Sequence, residues 1–447
     1  MTKVIFILFI LLIIILASYD HLQVFFLNNL IVLRGILTPN CFYYNISNSS
    51  GINLFYKFKE KHGNIPSTYM FGKKIYVITK VNHIKYILNN SPYIFGPGKL
   101  KMTFFKSFMS ENIGVSKGCK WAKLRKLNEF VLDSNKVHKY SYSINQNLIS
   151  YIQKNMNQQK INYEDFKKIG KYFVGKIVFN CNNIDDTILE IFTKANNIKG
   201  FYFNFNLNPS LKRKYEDFLL KNIKNPNKNS LIYLLSVFSK EYTLTEIMHQ
   251  IPHLMFPING LFTTTIPRLL LILINHKNIL KKLISKIKNI DTKNIYSIYE
   301  NYYLRACVLE MLRLNNPVVT TFRTTLKDIK LDNKIIKKDS QLLILNNPIL
   351  RDKTIFKNPN RYIPERWNKD LEKSYYSISF NQGPQICPGK ELSILIIQCF
   401  LVNFLKINGV FDNIDSLKSK KINIDNIPEM INPCKITLYK KKLINNY

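Results

Sequence analysis

Polar residues all but vanish between Val4 and Tyr19, a run of 16 positions reading VIFILFILLIIILASY. That is just short of the ~20 apolar residues a helix needs to cross a bilayer. A second apolar stretch, Val24 to Leu37, is broken by Asn28, Asn29 and Arg34 and fits a helix lying in the interface. Two readings of the first run stand side by side: a retained anchor, and a secretory signal cleaved near Leu16-Ala17-Ser18. From Gly51 the pattern is that of a soluble body. Leu54 to His62 reads as a short amphipathic helix, Ser67 to Thr79 as a hairpin turning near Gly72-Lys73, and Val81 to Leu88 as another helix. Val137 to Ile247 is a long helical-type mixture, with an aromatic cluster at Phe201 to Leu207. Val318 to Thr325 reads as a strand, and Leu331 to Leu345 as short strands around Asp332-Asn333. Leu392 to Leu405 is an apolar helix that buries its length, and the tail pairs strands with turns at Pro428 and Pro433.

Composition narrows the class. A chain of 447 residues with 46% hydrophobic content can bury a large core, as one big domain or two. The formal charge of +36 allows anionic lipid, an acidic protein or nucleic acid as partner. Its lysines are scattered among Asn and Ile rather than gathered in a stripe, so nucleic acid is not an expected partner. The seven cysteines are odd in number and show no Cys-x-x-Cys pairing, which argues against a disulfide framework or a zinc ribbon.

Chemistry gathers at four places. Near the end, Ser379 to Gly389 (SFNQGPQICPG) sets one cysteine, Cys387, in a Gly- and Pro-punctuated loop ahead of an apolar helix. Backbone N–H groups and the helix dipole favour a thiolate there, and the geometry suits the fifth ligand of a haem iron. A buried cysteine acting as a small hydrophobe is the bland alternative. The spacing Phe380-x-x-Gly383-x-x-x-Cys387-x-Gly389 is far more specific than a lone cysteine. In Asn112 to Lys126, Trp121 and Arg125 lie four apart on one helix face and make a clamp for a carboxylate. In Tyr302 to Pro317, Glu310 and Arg313 lie three apart, flanked by apolar residues that point to a buried pair. Pro364-Glu365-Arg366-Trp367 follows.

In this order the motifs resemble those of the cytochrome P-450 family, the haem-thiolate monooxygenases. The resemblance runs roughly from Gly51 to Tyr439. It implies a mainly α fold with a small β region, a single haem domain over residues 38–447 behind an N-terminal anchor over residues 1–37. The implied cofactor is haem b (iron protoporphyrin IX), with Cys387 as the axial ligand of the metal and Phe380 opening its loop. Trp121, Arg125 and Arg323 would meet the haem propionates. Gln385 stands where the family usually has Arg or His for that purpose. Glu310, Arg313 and Arg366 would form the structural triad, and Val319 and Thr320 would face substrate. The family's long central helix falls on Thr243 to Leu273, where Gly260 leaves room for oxygen and Thr263 offers its hydroxyl to it. The usual acid is replaced by Phe262, and Pro252, Pro257 and Pro267 are expected to interrupt the helix.

The activity so implied is a membrane-tethered monooxygenase acting on a hydrophobic, lipid- or sterol-like substrate. Its electrons would come from an NADPH-dependent flavoprotein reductase docked near Lys120, Lys123 and Lys126, with the haem domain on the cytosolic face of an endoplasmic-reticulum-type membrane. Two other readings fit the same residues. A peroxide-rearranging haem enzyme needs neither proton relay nor reductase. A degenerate haem-binding protein would have kept the fold and lost turnover.

Overall fold

The computed structural model describes residues 65, 67–70, 73–189, 209–409, 411–412 and 431–440. The anchor run, the stretch Val24 to Leu37, the helix expected at Leu54 to His62, the aromatic cluster from Phe201 and the turn at Pro428 lie outside the described residues. Within them the chain opens with strands β1 (Ser67–Met70) and β2 (Lys73–Ile78), then helix α1 (Val81–Asn89) and strand β3 (Phe95–Pro97). Helices α2 (Lys99–Met109), α3 (Gly118–Val131), α4 (Ser141–Asn155) and α5 (Tyr163–Val174) follow. A long helix, α6, runs from Leu244 to Asn275, and α7 spans Tyr302–Leu314. Strands β4 (Thr320–Thr325) and β5 (Gln341–Leu345) complete the sheet, and α8 (Lys390–Asn408) follows the cysteine loop.

The sheet order is β1-β2-β5-β4-β3, with β2 and β5 parallel and the other neighbours antiparallel. Ile75, Ile78, Leu342 and Ile344 bury the faces of the paired strands β2 and β5. The fold is thus mainly helical with a small β region, as the polarity pattern and the resemblance imply.

Two buried helices set the frame. α6 starts in a capping box: the Glu246 backbone N–H donates to Thr243 Oγ1 at 3.1 Å, and the Thr243 N–H donates to Glu246 Oε2 at 3.0 Å. The three prolines do not break it. Pro252 and Pro257 lie within regular helix, and Pro267 enters the first turn after a widened π segment, Leu261–Thr265. Ile251, Met255, Ile266 and Leu269 are buried and hold the ladder on the core side, while Pro257 and Phe256 lie on the open side of the helix. α8 is apolar almost all round and lies in the core beside α4, with Asn403 Nδ2 donating to Asn145 Oδ1 at 2.7 Å between them.

Charge then locks the parts together. Arg305 on α7 donates to both carboxylate oxygens of Glu372, at 2.5 and 3.0 Å, and to both of Glu391 on α8, at 2.9 Å each. Lys390 adds a 2.7 Å bridge to Glu372. Deeper in, Glu310 and Arg313 are fully buried and joined by two contacts of 2.8 Å. Glu310 also accepts from Arg366 Nε at 3.0 Å, Trp367 Nε1 at 2.9 Å and the Ile363 N–H at 3.0 Å. Arg313 spends its remaining donors on the carbonyls of Leu350, Pro359 and Arg361.

Two outcomes follow from this wiring. Arg313→Met leaves Glu310 buried with two of its five donors gone and should lower stability by about 3–5 kcal/mol; an unchanged urea midpoint would contradict the assignment. Burial works to raise the Glu372 carboxyl, but the Arg305 guanidinium outweighs it and holds the group at about 2, against an ordinary 4.5. A depressed carboxyl stabilises fully above the unfolded value and loses that contribution as pH falls through the folded one. Melting temperature should therefore drop between roughly pH 4.5 and pH 2, and Glu372→Gln should flatten that part of the profile.

Candidate haem site

The cysteine loop is held by its own backbone. The Cys387 N–H donates to the Phe380 carbonyl at 2.8 Å, and Asn381 Nδ2 donates to the Gln385 carbonyl at 3.1 Å. Gln382 Nε2 ties the loop to the carbonyls of Ser374 and Ser377. Gly383 has φ +72°, and a Cβ there would meet the Leu88 carbonyl oxygen of α1 at 2.9 Å. Both the conformation and the close approach require glycine. Cys387 lies deep in the protein, yet its surface is only partly covered, so it faces an internal space.

The Gly389 N–H points at the cysteine sulfur, as the loop geometry predicts. Burial nevertheless wins in the protein alone: it pushes the thiol up, against the Gly389 N–H, Arg125 and Lys390, which pull it down. The expectation that the loop itself favours the thiolate is corrected to that extent. A metal ion at the sulfur would reverse the balance, because coordination deprotonates the ligand.

Trp121 and Arg125 share the buried face of α3. Arg125 Nη1 donates to the Ile386 carbonyl at 2.5 Å and Nε to Glu129 at 2.7 Å, so one donor edge braces the cysteine loop itself. The Trp121 indole N–H has no partner among the described residues, and its ring meets Tyr93 edge-on at 6.4 Å. On β4, Arg323 donates to Ser91 Oγ at 3.1 Å and to the Phe322 carbonyl at 2.9 Å. Burial pushes it down to about 10. Lys101 on α2, which its surroundings in the sequence do not single out, is also deeply buried and pushed down to about 8 by burial and by Arg323. Neither cation meets a carboxylate among the described residues. Gln385 sits in the turn Gly383–Gln385, where its carbonyl serves Asn381. Thr320 opens β4 half-buried, whereas Val319 before it is buried.

The central helix departs from the pattern read in the sequence. A Cβ on Gly260 would meet nothing within 4 Å, so this residue borders open space. Thr263 does not share that face. A Cβ on Gly170 of α5 would come within 3.2 Å of Thr263 Cγ2 and 2.7 Å of Asn259 Oδ1, which places both against α5. The Thr263 hydroxyl donates to the Asn259 carbonyl at 2.9 Å. The widened turn is the cause: it takes more residues than a regular turn, so the fourth residue on from Gly260, Thr264, returns to its side. Thr264 is half-buried, and its hydroxyl has no partner among the described residues. Phe262 is a core residue, stacked on Phe173 at 4.9 Å and edge-on to Phe400 at 6.2 Å.

These residues fit a haem. A single enclosed thiol borders an internal space, and buried Arg323, which meets no carboxylate among the described residues, suits a propionate. Among the described residues no group of three or more His, Cys, Asp and Glu could hold a metal ion. The sequence does not single out Lys101 or His253, and it offers Thr264 only as the residue following Thr263. His253 alone had a signal available, standing seven residues before Gly260 on the same helical stripe.

The comparisons agree with this geometry. The family model described as "Cytochrome P450" matches residues 40–218 and 188–408. The chain is 31% identical over 142 residues to a β-amyrin 11-oxidase of Glycyrrhiza uralensis, covering 30% of this chain and 29% of that protein. It is 26% identical over 227 residues to cytochrome P450 705A20 of Arabidopsis thaliana, covering 47% and 44%. In these two matches the chain spans less than half the length of the curated relative. The fold is similar to the retinoic-acid-bound cyanobacterial CYP120A1, with TM-score 0.70 at 15% identity over 87% of this chain and 93% of that one. With the family model matching most of the sequence, the chain belongs to the cytochrome P450 family, whose members bind haem.

Proposed function

We propose that the protein is a haem-thiolate monooxygenase that inserts one oxygen atom from O2 into a hydrophobic, lipid- or sterol-like substrate. Electrons would come from an NADPH-dependent flavoprotein reductase. The observation that carries this reading is Cys387: one enclosed thiol, in a loop pinned by Phe380 and Gly383, bordering an internal space. When bound, haem b supplies the oxygen chemistry, with Cys387 as thiolate donor to its iron.

The chain's own residues do the rest. Trp121, Arg125, Arg323 and Gln385 surround the place for the propionates. Gly260 leaves room beside the central helix, and the Thr264 hydroxyl is the donor on that side. Glu310, Arg313 and Arg366 hold the scaffold behind the loop, and Thr320 is the half-buried residue on the substrate side. Of the three lysines proposed for reductase docking, Lys120 pairs with Glu111 and Lys123 with Glu246, which leaves Lys126 unpaired among the described residues. The similarity to a β-amyrin 11-oxidase supports a bulky apolar substrate. Membrane attachment rests on Val4 to Tyr19. Two described helices, α6 and α8, are also long and apolar enough to cross a membrane, but 72% of the apolar stretch of each is buried in the core.

A peroxide-rearranging enzyme is the second reading. One feature favours it: from Ile247 to Asn275 the central helix carries no Asp or Glu to feed a proton relay. Turnover separates the two. Product formed with NADPH and a reductase supports the monooxygenase, and product from an organic peroxide alone supports the alternative.

The dithionite-reduced protein under carbon monoxide should show the strongly red-shifted Soret band of a thiolate-ligated haem, and Cys387→Ser should lose it. A normal band in that variant would sink the reading. With substrate in hand, Thr264→Ala should cut product formed per NADPH consumed by about tenfold, the equivalent of one hydrogen bond of roughly 1.4 kcal/mol. Thr263→Ala should leave that ratio near the parent's, and the reverse result would restore Thr263 to the oxygen side.

A further inference from the structure

Lys101 and His253 stand out among the titratable groups that the triad, the loop and the proposed oxygen side do not use. Lys101 lies on α2 and His253 on α6. Both are deep in the protein, yet each keeps part of its surface open, so both border internal space. Neither has a carboxylate or hydrogen-bond partner among the described residues. Lys101 Nζ stands 5.8 Å from the Phe105 ring centre. Gly114 gives it room, because a Cβ there would come within 3.0 Å of Nζ.

A desolvated ammonium without a counter-charge is expensive to maintain, and an anion arriving from outside the chain would relieve it. His253 shares this neighbourhood: the segment leading to Gly114 is tied to α6 one turn before His253, the Glu111 N–H donating to His249 Nδ1 at 3.0 Å and the Ile113 N–H to Gln250 Oε1 at 3.1 Å. Burial first and Lys101 second push the His253 imidazole down to about 4, so at neutral pH it is uncharged and can donate a hydrogen bond beside the ammonium.

We propose that Lys101 and His253 form a receptor for a carboxylate, and that it seats the acid end of an amphipathic, hydrophobic carboxylic acid. His253 lies seven residues before Gly260 within regular helix, two turns along one stripe. At 1.5 Å per residue the two are about 10 Å apart along the axis. A substrate anchored at Lys101 therefore lies along α6 and presents a carbon about 10 Å from its carboxylate to the open side of Gly260. This inference rests on the haem reading for the place of oxidation but not for the receptor itself. The same chemistry has a second source, a haem propionate, given that Lys101 lies close enough to Arg323 to feel its charge.

The test uses the full-length protein, haem-loaded, with dodecanoic acid and its methyl ester as probes. Binding is read from the haem absorption shift, and haem retention from transfer to apomyoglobin. The parent should bind the acid at least tenfold more tightly than the ester. Lys101→Met should abolish that preference, Lys101→Arg should retain most of it, and His253→Phe should reduce it severalfold, with haem retention unchanged. Faster haem loss in Lys101→Met, at equal acid and ester affinity, would identify the propionate as the carboxylate received. No change in either quantity would overturn the receptor. If the parent holds no haem, the haem reading fails instead, and acid-over-ester preference measured as a thermal shift still decides this one.

Discussion

The buried carboxylate of Glu310 is the constraint on which the rest depends. It is fully enclosed and takes five donors from four residues, Arg313, Arg366, Trp367 and the Ile363 backbone. A charge that deep is tolerable only with every lone pair answered. Satisfying it forces α7 and the segment from Ile363 to Trp367 into one arrangement. Arg313 extends the demand to the carbonyls of Leu350, Pro359 and Arg361. The connection leading to the cysteine loop is thus fixed in place before any cofactor arrives. On the other side of that loop, Arg305 and Glu391 pin the start of α8 to the same helix α7.

Local spacing made part of this legible. Glu310 and Arg313 sit one helical turn apart among apolar residues, and the resemblance supplied Arg366. Gly383 could be read from the loop motif, and the structure adds the reason in its positive φ and the Leu88 carbonyl behind it. The central helix was less legible. Proline content suggested breaks, but burial of the core-facing side of the helix outweighed the lost donors. The choice between Thr263 and Thr264 turns on a widened segment that no residue pattern announces, and regular periodicity misassigns every side chain beyond it. Lys101 was hidden for another reason. In a chain with 65 Lys and Arg residues, one more lysine carries no signal until its burial is known.

The internal space has a consistent electrical character. Arg323 and Lys101 are both pushed below their ordinary values by burial, and no carboxylate among the described residues relieves them. Cys387 is pushed the other way by the same burial. The protein alone therefore carries unfavourable desolvation on its cations, whereas the Cys387 thiol simply stays protonated until a metal ion claims it. An iron-bearing cofactor that carries carboxylates would relieve Arg323 and take up the sulfur of Cys387, so occupancy and stability should be strongly linked.

The widened turn at Leu261–Thr265 has a wider consequence. It inserts roughly one residue of angular slack, about 100° by the helix repeat, into an otherwise regular rod. The stretches before and after it are therefore two helices in different phase, joined end to end. Which positions accept polar residues should follow one rhythm up to Gly260 and another from Ile266 onward. A relative that lacks the slack would present a different threonine to the same space while aligning in sequence almost without a gap. In such chains, alignment alone is a poor guide to the residue that faces the oxygen side.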